Sequence, residues 1–399
     1  MKAESPPAGG FWEVFLIFLR LGCTSFGGPV AHLGYFQAEF VERRKWLSGE
    51  SYAELVAIAQ SLPGPASSQV GYSIGLMRAG LRGGLAAWLG FTSPSAALML
   101  AFAFGHSLFS SKGGGALLHG LQLVAVAVVA QAVLAMRQRL APDAKRLAFA
   151  ILAAAVVLLA PPFLSTVVAI AGGGIGGVLL LRVSGETMIE LHGPVISRRA
   201  GSVAATLFVL LLIACVAIHG NQLNPLDLFA NLFRVGAMVF GGGHVVLPLL
   251  DGSVVTKGWI SQDAFLAGYG AAQALPGPLF SFAAYVGAAV KPIPHPLAAG
   301  LIALMAIFLP GLLLMTAVLP FWDGLRKRAT MQSVLRGVNA SVVGVLIAAL
   351  YQPVWTSTVH SPMDFWIALA AFAALTAWRV APWVVVVAVG SVCWIRGIF

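Results

Sequence analysis

Long apolar stretches alternate with short polar connections along the whole chain. Most stretches are close to the roughly 20 residues that a helix needs to cross a bilayer. The pattern predicts an all-α integral membrane protein with about 12 to 13 transmembrane segments, at residues 11–33, 51–76, 84–110, 116–136, 146–160, 163–181, 203–219, 226–250, 263–290, 297–319, 333–352, 364–379 and 382–398. The segments on either side of Pro161-Pro162 are short, and they are predicted as two crossings or as a partial hairpin.

Composition strengthens this prediction. Hydrophobic residues make up 59% of the chain and charged residues 10%, with a mean hydropathy of +0.90, whereas soluble domains carry roughly 25% charged residues. Such a chain cannot cover a water-facing surface, so soluble enzymes, nucleic-acid-binding proteins and disulfide scaffolds are excluded, and the lipid bilayer is the expected partner. Cys23, Cys215 and Cys393 are isolated in apolar runs and indicate neither disulfides nor a metal site.

The net charge of +10 comes from Lys and Arg clustered in the short connections, which is typical of cytoplasmic loops under the positive-inside rule. With the N-terminus inside, most clusters fall on the cytoplasmic side, including Lys257 and Arg326–Arg328. Arg43-Arg44-Lys45 disagrees and would lie outside. This cluster moves inside if the Pro-Gly-Pro segments described below re-enter the membrane, but Arg326–Arg328 then moves outside.

Irregular motifs recur in the two halves of the chain in the same order. The first is Arg20-x-Gly22-x-x-x-Phe26-Gly27-Gly28, which returns as Arg234-x-Gly236-x-x-x-Phe240-Gly241-Gly242. The second is Gln60-x-x-Pro63-Gly64-Pro65, which returns as Gln273-x-x-Pro276-Gly277-Pro278. Two copies of so irregular an arrangement indicate an internal repeat.

The repeat divides the chain into a first copy at 1–182, a linker at 183–225 with one extra transmembrane helix, and a second copy at 226–399. Six predicted segments and the extra helix precede the second copy. An odd number of crossings turns the second copy over, so the sequence predicts an inverted repeat. Inverted repeats with matching broken helices are typical of secondary transporters, whose substrate site lies near the membrane midplane.

Both motifs predict breaks in their helices. Proline removes a backbone hydrogen bond and glycine permits backbone conformations closed to other residues. A half-helix that starts at a break presents free N–H groups and a positive dipole end, which suits an anion. The candidate substrate-binding residues are therefore those of the breaks, namely Phe26, Gly27, Gly28, Pro63, Gly64, Pro65, Phe240, Gly241, Gly242, Pro276, Gly277 and Pro278.

Polar residues beside the breaks complete the candidate site. Arg20 and Arg234 would add positive charge, Gln60 and Gln273 could donate to an oxyanion, and His244 could couple transport to protons. Each has a structural alternative: the arginines snorkel to an interface, the amides join helices, and the histidine packs. Close helix packing and plain kinks likewise explain the glycines and prolines. Under the transport hypothesis, Arg20→Ala and Arg234→Ala are each expected to abolish transport.

Motifs of energy-coupled or hydrolytic enzymes are missing. The sequence has no P-loop, Walker motif or His-Glu-x-x-His, so neither ATP hydrolysis nor zinc proteolysis is indicated, and no cofactor or enzymatic activity is expected. The glycine-rich run Gly172–Gly177 lies in an apolar segment and follows no strand, which favours helix packing over dinucleotide binding. Transport would draw on an ion gradient or the membrane potential.

The paired Phe-Gly-Gly and Gln-x-x-Pro-Gly-Pro motifs closely resemble those of the chromate ion transporter family, in its long, two-domain bacterial form. The resemblance runs from about residue 11 to 397 and implies a multi-pass protein of the bacterial cytoplasmic membrane. It also implies chemiosmotically driven export of chromate, resistance to chromate, and competition by sulfate. A sulfate or other oxyanion carrier and an anion channel stay open as alternatives, and a second copy of the chain is a candidate partner.

Overall fold

The computed structural model describes residues 10–105, 112–160, 164–181, 196–218, 224–240, 243–290, 293–322 and 329–398, which are helical with no strand. The first half contains α1 (Phe11–Thr24), α2 (Gly28–Phe36), α3 (Gly49–Ser61), α4 (Ala66–Phe104), α5 (Lys112–Leu140), α6 (Ala144–Leu159) and α7 (Leu164–Leu180). Helix α8 (Arg198–Ala217) follows. The second half contains α9 (Pro225–Met238), α10 (Val246–Leu250), α11 (Gln262–Ala272), α12 (Phe282–Ala289), α13 (Pro296–Val318), α14 (Ala329–Ala349), α15 (Pro362–Thr376) and α16 (Pro382–Ile398).

Local sequence sets where several helices begin. Ser48, Asp143, Ser197, Asn224, Ser261 and Ser361 each precede a helix and accept a backbone N–H of its first turn. Such caps satisfy donors that have no partner within the helix. Short π-helical turns extend α2, α10 and α14, at Gln37–Arg43, Asp251–Val255 and Leu350–Trp355. The helical membrane fold with broken helices that the sequence predicts is confirmed.

Five helices in the described ranges are long and apolar enough to cross a membrane: Ala66–Phe104, Gly114–Leu140, Arg198–Ala217, Pro296–Phe321 and Thr330–Trp355. The other predicted segments are shorter helices that pair with a neighbour as hairpins. Four of these, called the signature hairpins, have tips at the repeated motifs and cover residues 11–43, 49–78, 225–255 and 262–289. Two terminal hairpins, α6–α7 and α15–α16, end the two halves.

The first two signature hairpins begin and end on one face of the molecule. Phe18 on α1 stacks on Phe40 beyond the Phe-Gly-Gly tip, with 5.0 Å between ring centroids. Helix α4 is interrupted at Ala79 and Gly80, so its first arm belongs to the second hairpin and its second arm crosses. Arg78, where that first arm ends, lies 4.6 Å from the ring centroid of Trp46, which precedes α3.

The face that contains these hairpin ends is called the Trp46 face. Arg78 also pairs with Glu13 of α1 at 3.2 Å, and Arg44 lies over the same Trp46 ring at 5.6 Å. The end of α13 reaches this face, since the Trp322 indole donates to Glu54 of α3 at 2.5 Å. Both hairpins therefore enter and leave the membrane on one side.

The second half has the same arrangement on the opposite face, called the Asp364 face. The Lys257 ammonium, after the third hairpin, donates to Asn231 in the first turns of α9 at 2.9 Å. In the fourth hairpin the Tyr285 hydroxyl donates to the Ala264 carbonyl at 2.8 Å. The start of α5 lies on this face, because Gln122 donates to the Asp263 carbonyl at 3.0 Å and His119 contacts Asp364 at 3.1 Å.

The equivalent crossing helices of the two halves run antiparallel. Trp88 of α4 packs on Phe308 of α13, with ring centroids 5.7 Å apart, and Leu100 approaches Gly300 twelve residues further along α4. As residue numbers increase along α4, the numbers of the residues contacted on α13 decrease. Because both helices cross the membrane, opposite directions are what an inverted repeat requires.

Re-entry of the hairpins removes the conflict in the loop charges. Arg43-Arg44-Lys45 joins Arg78 on the Trp46 face, and Lys257 moves to the Asp364 face. Arg326–Arg328 lie outside the described residues, but Trp322 before them is on the Trp46 face. Gly201, near the arginines that begin α8, packs on Pro320 at the same end. The positive-inside rule therefore predicts that the Trp46 face is the cytoplasmic one.

Cysteine labelling distinguishes re-entrant hairpins from crossings. In a variant whose three natural cysteines are replaced by serine, Lys257→Cys is expected to react with a membrane-impermeant maleimide added to intact cells. Lys45→Cys is expected to react only after permeabilisation. Lys145→Cys, which begins α6, is cytoplasmic in either arrangement and serves as the control. If every predicted segment crossed, Lys45→Cys would be labelled from outside and Lys257→Cys would be protected.

Candidate functional site

The tips of the signature hairpins from the two halves are joined by two equivalent backbone hydrogen bonds. The N–H of Gly64 donates to the carbonyl of Val239 at 2.7 Å, and the N–H of Gly277 donates to the carbonyl of Ser25 at 2.9 Å. Val239 and Ser25 are matched positions, each immediately before the phenylalanine of a Phe-Gly-Gly motif. Each Pro-Gly-Pro tip is therefore held by the helix break of the other half.

Glycine is required where these tips pack. Gly64 has φ +124°, and a Cβ there would lie 2.9 Å from the Cα of Gly311. Gly277 has φ +91°, and a Cβ there would lie 3.0 Å from the hydroxyl of Ser95. Gly311 and Ser95 are again matched, since each follows the proline inside a crossing helix. Each tip thus packs against the proline-containing turn of the other half's crossing helix.

A cavity of about 420 Å³ lies where the first Phe-Gly-Gly tip, the second Pro-Gly-Pro tip and the turn between α15 and α16 meet. Its walls also include α5. It is large enough for a tetrahedral oxyanion together with water. The lining residues are Phe26, Gly27, Gly28, Pro29, Tyr35, Val128, Gln131, His244, Ala272, Gln273, Leu275, Gly277, Leu279, Leu375, Arg379, Val380, Ala381, Pro382 and Trp383.

The cavity brings together six of the residues predicted from the sequence, namely Phe26, Gly27, Gly28, His244, Gln273 and Gly277. Other predicted residues are buried in the packing of the tips: Pro63, Gly64, Pro65, Pro276 and Pro278. Gln60 is exposed and Phe240 half-buried, and neither lines the cavity. Gly241 and Gly242 lie outside the described residues. The amide that anchors the first tip is Gln69, which donates to the carbonyls of Pro63 and Gly311 at 2.9 and 3.2 Å.

The structure places Arg20 away from the cavity. Its guanidinium pairs with Glu39 at 2.7 Å, on the return arm of the first hairpin. The same carboxylate also accepts from Arg44 at 2.7 Å and from Arg43. Glu39 therefore holds three arginines together, and Arg20 closes its own hairpin. A counter-charge this close weakens its attraction for an anion elsewhere.

Arg234 does not line the cavity either. Its guanidinium donates to the Asn231 side-chain oxygen at 2.8 Å, and the Lys257 ammonium donates to the same oxygen at 2.9 Å. The two cations are thus brought together at the base of the third hairpin, near the Asp364 face. The repeat conserves the position of the arginine on its helix but not its partner. The binding roles predicted for Arg20 and Arg234 stay predictions.

Two polar side chains of the second half border the cavity. His244 Nδ1 lies 2.9 Å from the hydroxyl of Tyr269, and Gln273 donates to the Tyr269 carbonyl at 3.4 Å. On the opposite wall, Gln131 donates to the carbonyl of Leu375 at 3.3 Å. These amides and the imidazole can orient a polar substrate without adding a fixed charge.

Helix starts face the same space. Helix α2 begins at Gly28 without a side-chain cap, after Gly27 in a left-handed conformation (φ +98°), and both glycines line the cavity. Helix α16 begins at Pro382, which also lines it. A helix start carries a partial positive charge, so this region favours an anion. The charge comes mainly from the dipole, because Pro29 and Pro382 have no N–H and the Val384 N–H donates to the Ala381 carbonyl at 3.0 Å.

Sequence reasoning missed Arg379. It lies in the turn between α15 and α16, and is the one residue with a permanent charge among the described lining residues. In the sequence it reads as an ordinary loop charge, and its counterpart region around Pro161-Pro162 contains no charged residue. The sequence did contain one indication: the apolar segments on either side of Arg379 are short for complete crossings, so the turn between them could lie within the membrane.

Comparison with known proteins agrees with the repeated motifs. The family model described as chromate transporter matches residues 12–178 and 226–394. A chromate transport protein of Pseudomonas aeruginosa is 29% identical over 360 residues, covering 86% of this chain and 80% of that protein. A probable chromate transport protein of Synechococcus elongatus is 25% identical over 375 residues, covering 94% and 91%. No solved structure matches the chain.

Substitution of the tip glycines tests the reciprocal packing. Gly64→Ala and Gly277→Ala are each expected to destabilise the protein by at least about 1–2 kcal/mol, because a left-handed backbone disfavours any Cβ and each Cβ also meets a close neighbour. Gly34→Ala on α2 is the control, since a Cβ there meets nothing within 4 Å. Thermal unfolding of the purified variants measures the difference. Equal melting temperatures for all three would show that the tips do not depend on glycine.

Proposed function

Because the chain belongs to the chromate transporter family, we propose that it is a secondary active exporter that moves chromate out of the cytoplasm. Its multi-pass helical fold and the chromate transport of the family are the basis for this proposal. Export, chemiosmotic coupling, chromate resistance and location in the bacterial inner membrane are the proposed refinements. The observation that carries them is a polar cavity between broken helices of two inverted halves.

The fold supports a carrier that exposes one site to the two sides in turn. The hairpin tips of each half rest on the crossing helix of the other half, so a small rotation between halves changes which side of the tips is open. Broken helices at a repeat interface, with irregular backbone facing a cavity, are the usual setting of a transporter site. A carrier built this way binds its substrate at the tips and not along a continuous pore.

The membrane potential can drive this export. Chromate is a dianion at neutral to alkaline pH, and the interior of a respiring cell is negative. Each negative charge that leaves gains about 2.3 kcal/mol per 100 mV. Export therefore needs no coupled proton, although exchange for another ion would also satisfy the energetics.

Sulfate or another tetrahedral oxyanion is the second candidate substrate. It has the same charge and shape as chromate. The described cavity walls offer helix starts, amides and one guanidinium, all of which recognise an oxyanion in general. On this account sulfate competes with chromate for one site.

Everted membrane vesicles test the proposal. With an imposed potential positive inside the vesicle and no pH gradient, labelled chromate is expected to accumulate, and excess sulfate is expected to reduce the rate. Vesicles from cells without the protein are the control. A pH gradient imposed without a potential separates proton coupling from potential-driven transport.

Three results would contradict parts of the proposal. Potential-driven chromate flux that does not saturate with chromate concentration, and that unlabelled chromate inside the vesicle does not accelerate, would indicate a channel. Accumulation of sulfate or another oxyanion with no chromate transport would identify a different substrate. Chromate accumulation only in right-side-out vesicles under physiological polarity would show uptake in place of export.

A further inference from the structure

Arg379 faces the cavity without a protein partner. No hydrogen bond or ion pair joins its guanidinium to any residue that the structure describes. By contrast, Arg20, Arg78 and Arg146 are each paired with a carboxylate. A permanently charged side chain that lines a polar cavity between membrane helices is costly unless an anion or water meets it. Arg379 is therefore available to a ligand.

The backbone of Arg379 has an unusual conformation. Its φ is +52°, and the only other described non-glycine residue with a positive φ is Lys45, at +53°. The turn that contains Arg379 ends α15: the N–H of Ala377 donates to Ala373 at 2.8 Å and the N–H of Val380 donates to Ala374 at 2.9 Å. Glycine is the usual residue in the left-handed position of such a helix end. An arginine there costs stability relative to glycine. Lys45 shares this conformation but lies outside the cavity, so the position of Arg379 on the cavity wall is what makes it a candidate.

The turn brings Arg379 to a region of positive potential built by the backbone. The starts of α2 and α16 line the same cavity, at Gly28 and Pro382. The end of α11 contributes carbonyls nearby, but those of Gly270, Ala271 and Ala272 accept N–H groups from the following turn. A guanidinium offers paired donors that match two oxygens of an oxyanion.

The first half offers no equivalent charge. The connection between α6 and α7 reads Ala160-Pro161-Pro162-Phe163, without an arginine or a lysine. The repeat is therefore symmetric in its hairpins but asymmetric in its charge. One charged turn predicts one oxyanion per chain, where a fully symmetric repeat would predict two.

We propose that Arg379, on the turn between α15 and α16, is the side chain that binds the oxyanion substrate, and that the chain has a single such site. This inference rests on the proposed function, because it assigns a residue to the same cavity. It replaces the fixed charge that the sequence suggested for Arg20 and Arg234. Lipid phosphate shares the chemistry of a free oxyanion, and the experiment separates these two sources.

Equilibrium binding of labelled chromate to the purified protein, in lipid-free detergent, tests this role. The wild-type chain is expected to bind one chromate, and Arg379→Gly is expected to weaken binding at least tenfold. Glycine fits the left-handed backbone, so this variant is expected to melt at the wild-type temperature or above. Lys45→Gly is the matched control: it relieves the same conformation on a residue that is exposed, as Arg379 is, but lies outside the cavity, and is expected to leave binding unchanged.

Several outcomes would overturn the assignment. Wild-type affinity in Arg379→Gly would do so, as would binding of two chromates per chain. A variant that loses stability only in lipid, with unchanged chromate binding in detergent, would show that Arg379 meets lipid phosphate instead. If Arg379→Gly does not fold, Arg379→Lys and Arg379→Gln decide: the lysine variant is expected to bind more tightly, and equal affinities would overturn the role.

Failure of the proposed function gives a different result. If the wild-type protein binds sulfate or molybdate but not chromate, the substrate proposal fails. The assignment of Arg379 still holds in that case if Arg379→Gly loses the binding of the other oxyanion. If Arg20→Ala and Arg234→Ala abolish binding while Arg379→Gly retains it, the charge lies where the sequence first suggested and this inference is wrong.

Discussion

Two backbone hydrogen bonds, from Gly64 to Val239 and from Gly277 to Ser25, determine how the rest of the molecule is arranged. Breaking a helix inside a bilayer leaves N–H and C=O groups without partners, and each unsatisfied group costs several kcal/mol. Here each half supplies the partner that the other half lacks. The breaks can therefore exist only while the two halves are assembled, which makes the interface between halves the natural place for a cavity.

The same exchange of partners extends to the ends of the two halves. Gly173 of α7 packs against Gly337 of α14, and Gly120 of α5 packs against Gly390 of α16. The terminal hairpin of each half thus packs against a crossing helix of the other half, as the Pro-Gly-Pro tips do. This placement brings the turn that contains Arg379 to tips from both halves. A binding site formed in this way changes shape whenever the halves move against each other.

The sequence predicted the helical membrane fold, the repeat, the broken helices and six of the cavity residues. These features are local, because a sequence with Gly64 and Pro65 side by side interrupts a helix whatever surrounds it. It could not show that the segments around the breaks re-enter, since a hairpin of two short helices and one crossing helix have similar apolar lengths. The charge cluster at Arg43–Lys45 was the sequence feature that disagreed with a complete crossing. Only the contact of Arg44 and Arg78 with Trp46 shows on which face of the molecule this cluster lies.

The partners of charged residues were equally beyond the sequence. Arg20 and Arg234 occupy matched positions, which suggested a shared binding role, but a repeat preserves position and leaves each copy free to acquire its own neighbours. Glu39 pairs with Arg20, and the aligned second-half position is Ser253, which carries no charge. Arg379 was passed over for the opposite reason, since it has no counterpart in the first half. An internal repeat in a sequence therefore predicts the shared backbone arrangement more reliably than it predicts which charged residues bind a substrate.

The electrostatics of the cavity suit a substrate that must also leave. A helix start contributes a partial positive charge, so the starts of α2 and α16 add to the full charge of Arg379 at the cavity wall, whereas the end of α15 in the same turn opposes them. These three positive contributions come from two hairpins, the first signature hairpin and the α15–α16 hairpin, and only one is a full charge on a side chain. When the hairpins separate, the matched set is divided and the dianion loses part of its stabilisation. A cluster of several arginines on one rigid helix would bind more tightly but would hold the anion in both states, whereas transport requires binding that weakens on the release side.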